Sequence, residues 1–481
     1  MRVEVNSGQS LIVERLLSQP NGGCPVATIV IEFPESCKSM VEPVRALVEL
    51  VEKLSHPASR SREFAGVEAQ VATAAARVEC AALGEVLRSL DATTERVAYD
   101  GATWKSLGAG EKTYFTAAGP VTISRKLFRK EGEHNGPTLD VVGARAGIVG
   151  DGWLPGAATA MAHMLQQGTA REAETTASRM GRMPYSRSSF ERIGHAVGEL
   201  YVEHRLDIEG ELVEDLVVPK AAHSVSIAVD RVSAPMEEIV IDDDGEEHVK
   251  RAWHMAHVGA LTLHDEDGHA LHTVRYACMP EGDISGIEQS LQGDLLHVLA
   301  QRPVLAVVKL ADGAEEMRRR LDLIAEGVAD DAFDMVDFWH AVEKFAAAAR
   351  TFAKGRVVEQ LLSQWKFWLL NDDDGVARVR RDLVQYRGKR AVDEAITYID
   401  NQGHRMRYAE ARARGLPIGS GNVEASCKSI VRQRMVRGGS RWKSEPGERV
   451  LHLRALAQSD RWDAGIAIAL RPLRKKVRHV A

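Results

Sequence analysis

The chain holds five cysteines, Cys24, Cys37, Cys80, Cys278 and Cys427, and no CxxC pair among them. That scarcity argues against a disulfide framework and against a zinc finger, so any metal must be held by carboxylates. Long apolar runs are missing too: there is no stretch of eighteen and no charged-then-apolar leader. Neither a membrane span nor a secretory signal is therefore expected, and the cytoplasm is the default compartment. Disorder-like composition is likewise lacking. With 27% charged and 44% hydrophobic residues over 481 positions, the chain reads as soluble and globular, long enough for two to four domains.

The net charge of −6 conceals an asymmetry. From Ala425 onward fourteen basic residues face four acidic ones, a net +10. Such a tail suits a polyanion, although a charge run is commonly a solvated face. The acidic stretches, Asp207 to Asp215 and Asp242 to Glu247, read as solvated loops.

Along the chain, a β-like run at 27–33 precedes a helix-like run from Val41 to Leu54, a break at His56-Pro57-Ala58-Ser59, and a long Ala-rich helix from Phe64 to Leu90 suited to packing or dimerisation. Between Lys112 and Lys130, two β-like runs flank Ala118-Gly119-Pro120, a hairpin with Val121, Ile123, Arg125 and Leu127 on one face. Residues 156–204 suggest a helix-turn-helix. One helix runs from Thr169 to Met180, Gly181 to Tyr185 is a break, and Ser188-Ser189-Phe190-Glu191 is a capping box opening a second helix. Arg182, Arg187 and Arg192 would there reach phosphates and base edges, but helix pairs of this kind also occur without DNA.

From Ser224 the pattern becomes α/β. Ser224 to Asp230 alternates as a strand ending on an aspartate, and two further strands, Ala252–Leu263 and Ala270–Met279, form a hairpin across Asp265-Glu266-Asp267-Gly268. A helix, the apolar strand Val304 to Leu310, another helix and a short strand at Phe333 follow. The apolar strand runs into Ala311-Asp312-Gly313, where α/β sheets place ligand-binding groups. A helical stretch from 341 to 414, broken at Asp372 to Gly375 and near Gly403, then leads into Gly415-Leu416-Pro417-Ile418-Gly419-Ser420-Gly421-Asn422-Val423-Glu424. This loop opens a helix whose apolar face holds Val423, Cys427, Ile430, Val431 and Arg434, with Glu424, Lys428 and Arg432 on another face. Alone, Glu424 reads as a first-turn acid stabilising the helix dipole by roughly 0.3 to 1 kcal/mol. With Asp230 and Asp312 upstream it reads as the third carboxylate of a metal site.

Val225 to Arg231 with Ala234-Pro235-Met236-Glu237, Asp312-Gly313-Ala314, Asp337-Phe338-Trp339-His340-Ala341, Ile418 to Glu424 with Lys428 and Arg441-Trp442, and the run Leu451 to Asp463 together resemble a bacterial insertion-sequence transposase of the ISKra type, over roughly residues 112 to 463. The resemblance implies an RNase H-like mixed sheet core of the α/β class, interrupted by a helical insertion and preceded by a mainly helical N-terminal DNA-binding region. It implies Asp-Asp-Glu chemistry on Asp230, Asp312 and Glu424, which would be both catalytic and metal-binding. Asp337 and His340 are candidates for a supporting role around that centre; equally, Asp337 caps the following helix and His340 packs. The implied organisation is an N-terminal region at 1–105, a hairpin and helix-turn-helix-like region at 106–220, catalytic core at 221–342, insertion at 343–414, the rest of the core at 415–463 and a basic tail at 464–481.

Chemistry agrees with the carboxylates. Two divalent ions about 3.5 to 4 Å apart serve phosphodiester cleavage, and Mg²⁺, with Mn²⁺ as a substitute, prefers oxygen ligands. The expected partners are the element's terminal inverted repeats and target DNA, contacted by Arg182, Arg187, Arg192, Lys428, Arg432 and Arg441. Pairing two ends implies a homodimer or higher oligomer on DNA, in a bacterial cytoplasm and associated with the nucleoid. Two other readings stay open: an inactive, domesticated helix-turn-helix DNA-binding protein, and an RNase H-like nuclease that cuts without joining.

Overall fold

The computed structural model describes residues 2–5, 10–14, 30–55, 63–242 and 245–480. The chain divides into two compact units, one of residues 1–197 with 470–481 and the other of residues 198–469.

The first unit combines helices with two sheets. A three-stranded antiparallel sheet joins Arg2–Val5, Ser10–Glu14 and Val30–Glu32. The start of the expected β-like run, at 27–29, and the break at 56–59 lie outside the described residues. Helices Val41–Ser55 and Phe64–Ser89 follow, as the sequence suggested. The expected hairpin exists but is longer, pairing Ala102–Phe115 with Pro120–Lys130 inside a five-stranded antiparallel sheet. Val121, Ile123 and Arg125 point inward, whereas Phe128 replaces Leu127 as the next buried residue. Phe128 lies on the opposite face of the strand, where Val97, Leu139 and Val477 cover it, whereas Val121 and Ile123 pack with Leu87 and Tyr114. The basic C-terminus is not a loose tail: Arg478–His479 pairs with Arg96–Tyr99, and Lys475 N–H donates to Ala144 O at 2.7 Å.

The expected helix pair is present as Ala170–Arg179 and Arg187–Glu203, separated by Gly181 in a left-handed conformation (φ 63°). The capping box lies elsewhere than expected. Thr169 and Glu172 cap the first helix reciprocally, while the second begins at Arg187, one residue before Ser188.

In the second unit, helix α1 (Arg205–Val213) leads to strands β1 (Ser224–Ile241), β2 (Glu247–His264) and β3 (Ala270–Cys278), helix α2 (Ile284–Gln301), strand β4 (Ala306–Ala311), helix α3 (Glu315–Ala325) and strand β5 (Phe333–Val336). The sheet order is β3-β2-β1-β4-β5. The first three strands form an antiparallel meander, and β4 and β5 add in parallel beyond β1. Parallel neighbours need crossovers, which α2 and α3 supply. Alternation along β1 sends Val225, Ile227 and Val229 into one core with α2 and α3, and Ala228 into the other.

That second core is covered by α4 (Phe338–Ala349), α5 (Arg356–Asn371), α6 (Gly375–Val384), α7 (Arg390–Gln402), α8 (Tyr408–Ala413), α9 (Gly421–Ser426) and α10 (Ser444–Gln458), the last preceding α11 (Trp462–Leu470). The helical stretch from 341 is broken at 350–355 and 385–389 as well as at the two expected places.

Two expectations fail here. Asp230 does not end its strand, because β1 runs on to Ile241 as a long ribbon with β2. Asp207 to Val213 is not a solvated loop but helix, and Glu209 is buried: it accepts hydrogen bonds from Ser290 and Tyr201 and pairs with Arg205. Burial nonetheless pushes its carboxyl above the ordinary range.

Candidate active site

The sheet register aligns the candidate aspartates. Parallel pairing matches Ala306 with Ser224 and Leu310 with Ala228, an offset of 82, and continuing it by two residues sets Asp312 level with Asp230. The β4–β5 ladder matches Ala311 with Val336, an offset of 25, which sets Asp312 level with Asp337 as well. Continued past the ends of β4 and β5, the two registers bring Asp312 and Asp337 to the sheet edge beside Asp230. Their parity is that of Ala228, Leu310 and Met335, which face the core covered by α9.

Asp230 stands on β1, the central strand of the sheet. Its Oδ1 accepts from Arg231 N–H at 2.7 Å, and its Oδ2 accepts from the Cys427 thiol at 3.6 Å. Burial raises its pKa, and the negative charges of Asp312 and Glu424 raise it further. All three carboxylates therefore share one electrostatic environment. Asp312 lies one residue past β4, in a turn where its side chain accepts from Ala314 N–H at 2.8 Å and Gly313 takes φ 95°. Helix α7 braces that turn: Tyr398 OH donates to Asp312 O at 3.0 Å, and Gln402 Nε2 to Gly313 O at 3.2 Å.

Glu424 reaches this edge through the glycine loop. Gly415 has φ 64°, and a Cβ there would stand 2.2 Å from Glu266 O, so only glycine fits. Phe338 N–H donates to Ile418 O at 3.0 Å. Asp337 then ties the helix start in place. Its Oδ1 caps α4 by accepting from His340 N–H at 2.6 Å, while its Oδ2 accepts from both the backbone N–H and the hydroxyl of Ser420. Both oxygens are thus engaged, one capping α4 and the other holding the start of the helix that bears Glu424. His340 lies at α4's start with its ring 6.3 Å from that of Tyr398.

The helix beginning at Gly421 carries the expected faces: Val423, Cys427, Ile430, Val431 and Arg434 are buried, and Glu424, Lys428 and Arg432 are exposed. Residues Cys427–Arg432 form a π-helical turn, a geometry frequent at functional sites. The Cys427 contact with Asp230 had no signal in the sequence, where Cys427 reads only as an apolar-face residue. Arg441 is exposed and donates to Val249 O at 3.4 Å, whereas Trp442 is half-buried under Arg434 and donates to Met435 O.

The remaining DNA-contact candidates belong to the first unit. Arg182 is engaged bidentately by Glu79, at 2.6 and 2.9 Å, which neutralises the charge a phosphate would use. Arg187 and Arg192 are exposed, Arg192 lying 3.7 Å from Asp151.

Among the described residues, the groups whose potential ligand atoms all lie within 4.8 Å of one another are Asp242, Glu246 and His248, at the β1–β2 turn, and Asp265, Asp267 and His269, at the β2–β3 turn. Either could hold a metal. The trio Asp230, Asp312 and Glu424 is more widely spaced. A two-ion centre does not need its ligands to converge on one point, since ligands of two different ions can stand about 8 Å apart. No helix among the described residues is long and apolar enough to cross a membrane. Compared with models of known families and with curated proteins, the chain matches none.

Proposed function

We propose that this chain is a DDE-type transposase that binds the ends of an insertion sequence and catalyses metal-dependent cleavage and transfer of DNA strands. One observation carries the reading: Asp230 on β1 and Asp312, one residue past the end of the adjacent parallel strand β4, lie at the same edge of the sheet, and the charges of Asp312 and Glu424 both act on Asp230. The strand order β3-β2-β1-β4-β5, with two helices on one face, supports an RNase H-like core. The helices from 356 to 413, interposed between β5 and α9, support a helical insertion.

The donor set is all oxygen and fits Mg²⁺, with Mn²⁺ as a substitute. Asp230, Asp312 and Glu424 would hold the ions. When bound, such ions activate the attacking oxygen, neutralise the phosphate and stabilise the leaving oxygen. The chain's own part is positioning. Asp337 and Ser420 fix the start of the helix bearing Glu424, and Tyr398 fixes the Asp312 turn. Lys428 and Arg432, exposed on the same helix, would hold the DNA backbone.

An assay on labelled element ends with Mg²⁺ tests the reading. Wild type should cut and join, and Asp230→Asn, Asp312→Asn and Glu424→Gln should bind ends without cutting. Cutting without joining would make the chain a nuclease. Binding without cutting in wild type would make it a DNA-binding protein, and strand transfer retained in any of the three variants would remove that residue from the site.

A further inference from the structure

The β1–β2 ribbon outruns its sheet. Strand β3 pairs with β2 only as far as His257, and β4 pairs with β1 only as far as Ala228. Beyond those points β1 is flanked by the Trp442 segment, but among the described residues the outer edge of β2 from Glu247 to Ala256 has no ladder partner. Its outward N–H and C=O groups form a template for another strand, although Val249 O among them also accepts a long bond from the exposed Arg441 at 3.4 Å, which pairing would displace. Cross-strand pairing also sets Ile239 opposite Val249, Pro235 opposite Trp253 and Ser233 opposite Met255, all on one face. Ile239 (65% exposed), Ile241, Val249, Trp253 (52%) and Met255 give that face an apolar stripe in contact with water, interrupted by Glu237, Glu247 and Arg251 on the same face. On the opposite face the polar groups satisfy each other: His254 pairs with Glu238 and His248 with Asp242, both at 2.6 Å.

Charge selects the occupant. From Glu237 to Arg251 the ribbon holds seven carboxylates against Lys250 and Arg251, which repels a polyanion. The edge is, however, complementary to itself. Antiparallel pairing of two β2 edges about a two-fold axis at Val249 sets Arg251 opposite Glu247 of the second copy, twice. It keeps the two acidic tips at opposite ends of the pairing and sets each Trp253 opposite Gly245 of the other copy, where no side chain intervenes.

We infer that the outer edge of β2 is a dimerisation strand, pairing antiparallel with the same edge of a second copy of this chain and joining the two apolar stripes into one surface. This stands apart from the proposed catalysis and is measured without DNA or metal. A dimer that fails to cut would leave it standing, and a monomer that cuts would sink it alone.

Sedimentation equilibrium of the full chain should show a dimer. Arg251→Glu and Glu247→Arg should each raise its dissociation constant about tenfold, since each exchanges two attractive contacts for two repulsive ones. The double variant should return to within about threefold of wild type. Independently, Val249→Cys should give a disulfide-linked dimer on mild oxidation, whereas Leu271→Cys, exposed on β3, should not. A monomeric wild type, a dimer indifferent to both swaps, an unrestored double variant, or no cross-link through position 249 would each overturn the inference.

Discussion

Replacing Asp230 with asparagine should make the metal-free protein more stable while removing its response to Mg²⁺. Asp230 is held by burial and by the charges of Asp312 and Glu424 above the ordinary carboxylate pKa of 3.8. A carboxyl whose folded pKa is raised contributes stability that is present below the unfolded value and lost as the pH rises through the folded one. At neutral pH the ionised group therefore costs stability. At the strand spacing of roughly 5 Å, repulsion between Asp230 and one neighbour amounts to about 0.8 kcal/mol in a water-like medium and about 3 kcal/mol at an effective dielectric of 20. The asparagine amide keeps one oxygen to accept from Arg231 or Cys427, so the net gain should lie at about 1 to 3 kcal/mol, or about 2 to 5 °C in melting temperature. In wild type, Mg²⁺ at about a hundred times its dissociation constant should restore about 2.7 kcal/mol. Thermal scans of both proteins at pH 7.5 and pH 4, with and without Mg²⁺, check this. The reasoning is refuted if the variant melts no higher than wild type at pH 7.5, or if its advantage fails to shrink toward pH 4.

Asp337→Ala should cost about 2 to 3 kcal/mol, combining a lost cap with two lost bonds from Ser420. It should slow cleavage without weakening end binding, and Asp337→Asn, which keeps one acceptor, should fall between; denaturation midpoints and gel shifts measure both. His264 is buried, its Nδ1–H donating to Gly268 O and its Nε2 accepting from Ser226 Oγ, and burial lowers its pKa from 6.5. The unfolded chain takes up a proton that the folded chain refuses, so stability should fall as the pH drops below 6.5 toward the depressed folded value. The slope should reach at most about 1.4 kcal/mol per pH unit for this group, and His264→Gln should flatten it in urea titrations. Lys428→Ala and Arg432→Ala should each reduce the slope of log affinity for DNA against log salt by about 0.9, equally on element ends and on random duplex.

What could be read from the residues was the order of elements and the two faces of the helix after Gly421, because both follow from periodicity within short windows. The extension of β1 lay beyond the alternating run, which stops at Asp230. Pro235 lies beyond β4's last pairing, where only the Trp442 segment approaches, so its missing N–H costs no ladder bond there. Glu209 read as solvated because its partners Arg205 and Ser290 lie on two different helices. Arg182 read as a phosphate ligand because Glu79, its partner, is 103 residues away. The meeting of the aspartates at one sheet edge needed a register that no single segment carries. Asp337 showed its capping role in the sequence, but its hold on Ser420, 83 residues on, did not.

The carboxylate cluster is spread over 194 residues of chain, from Asp230 to Glu424. During synthesis the β1–β2 ribbon can pair as soon as it emerges, and β4 and β5 can dock soon after, since chains fold broadly from the N-terminus as they are made. The last carboxylate arrives only after the interposed helices have been translated and the glycine loop has been tied to Asp337. A nascent or truncated chain ending before Glu424 would thus carry an ordered sheet with an incomplete centre. Delay is built into the topology: the three carboxylates can come together only after the helices between β5 and Glu424 have been made.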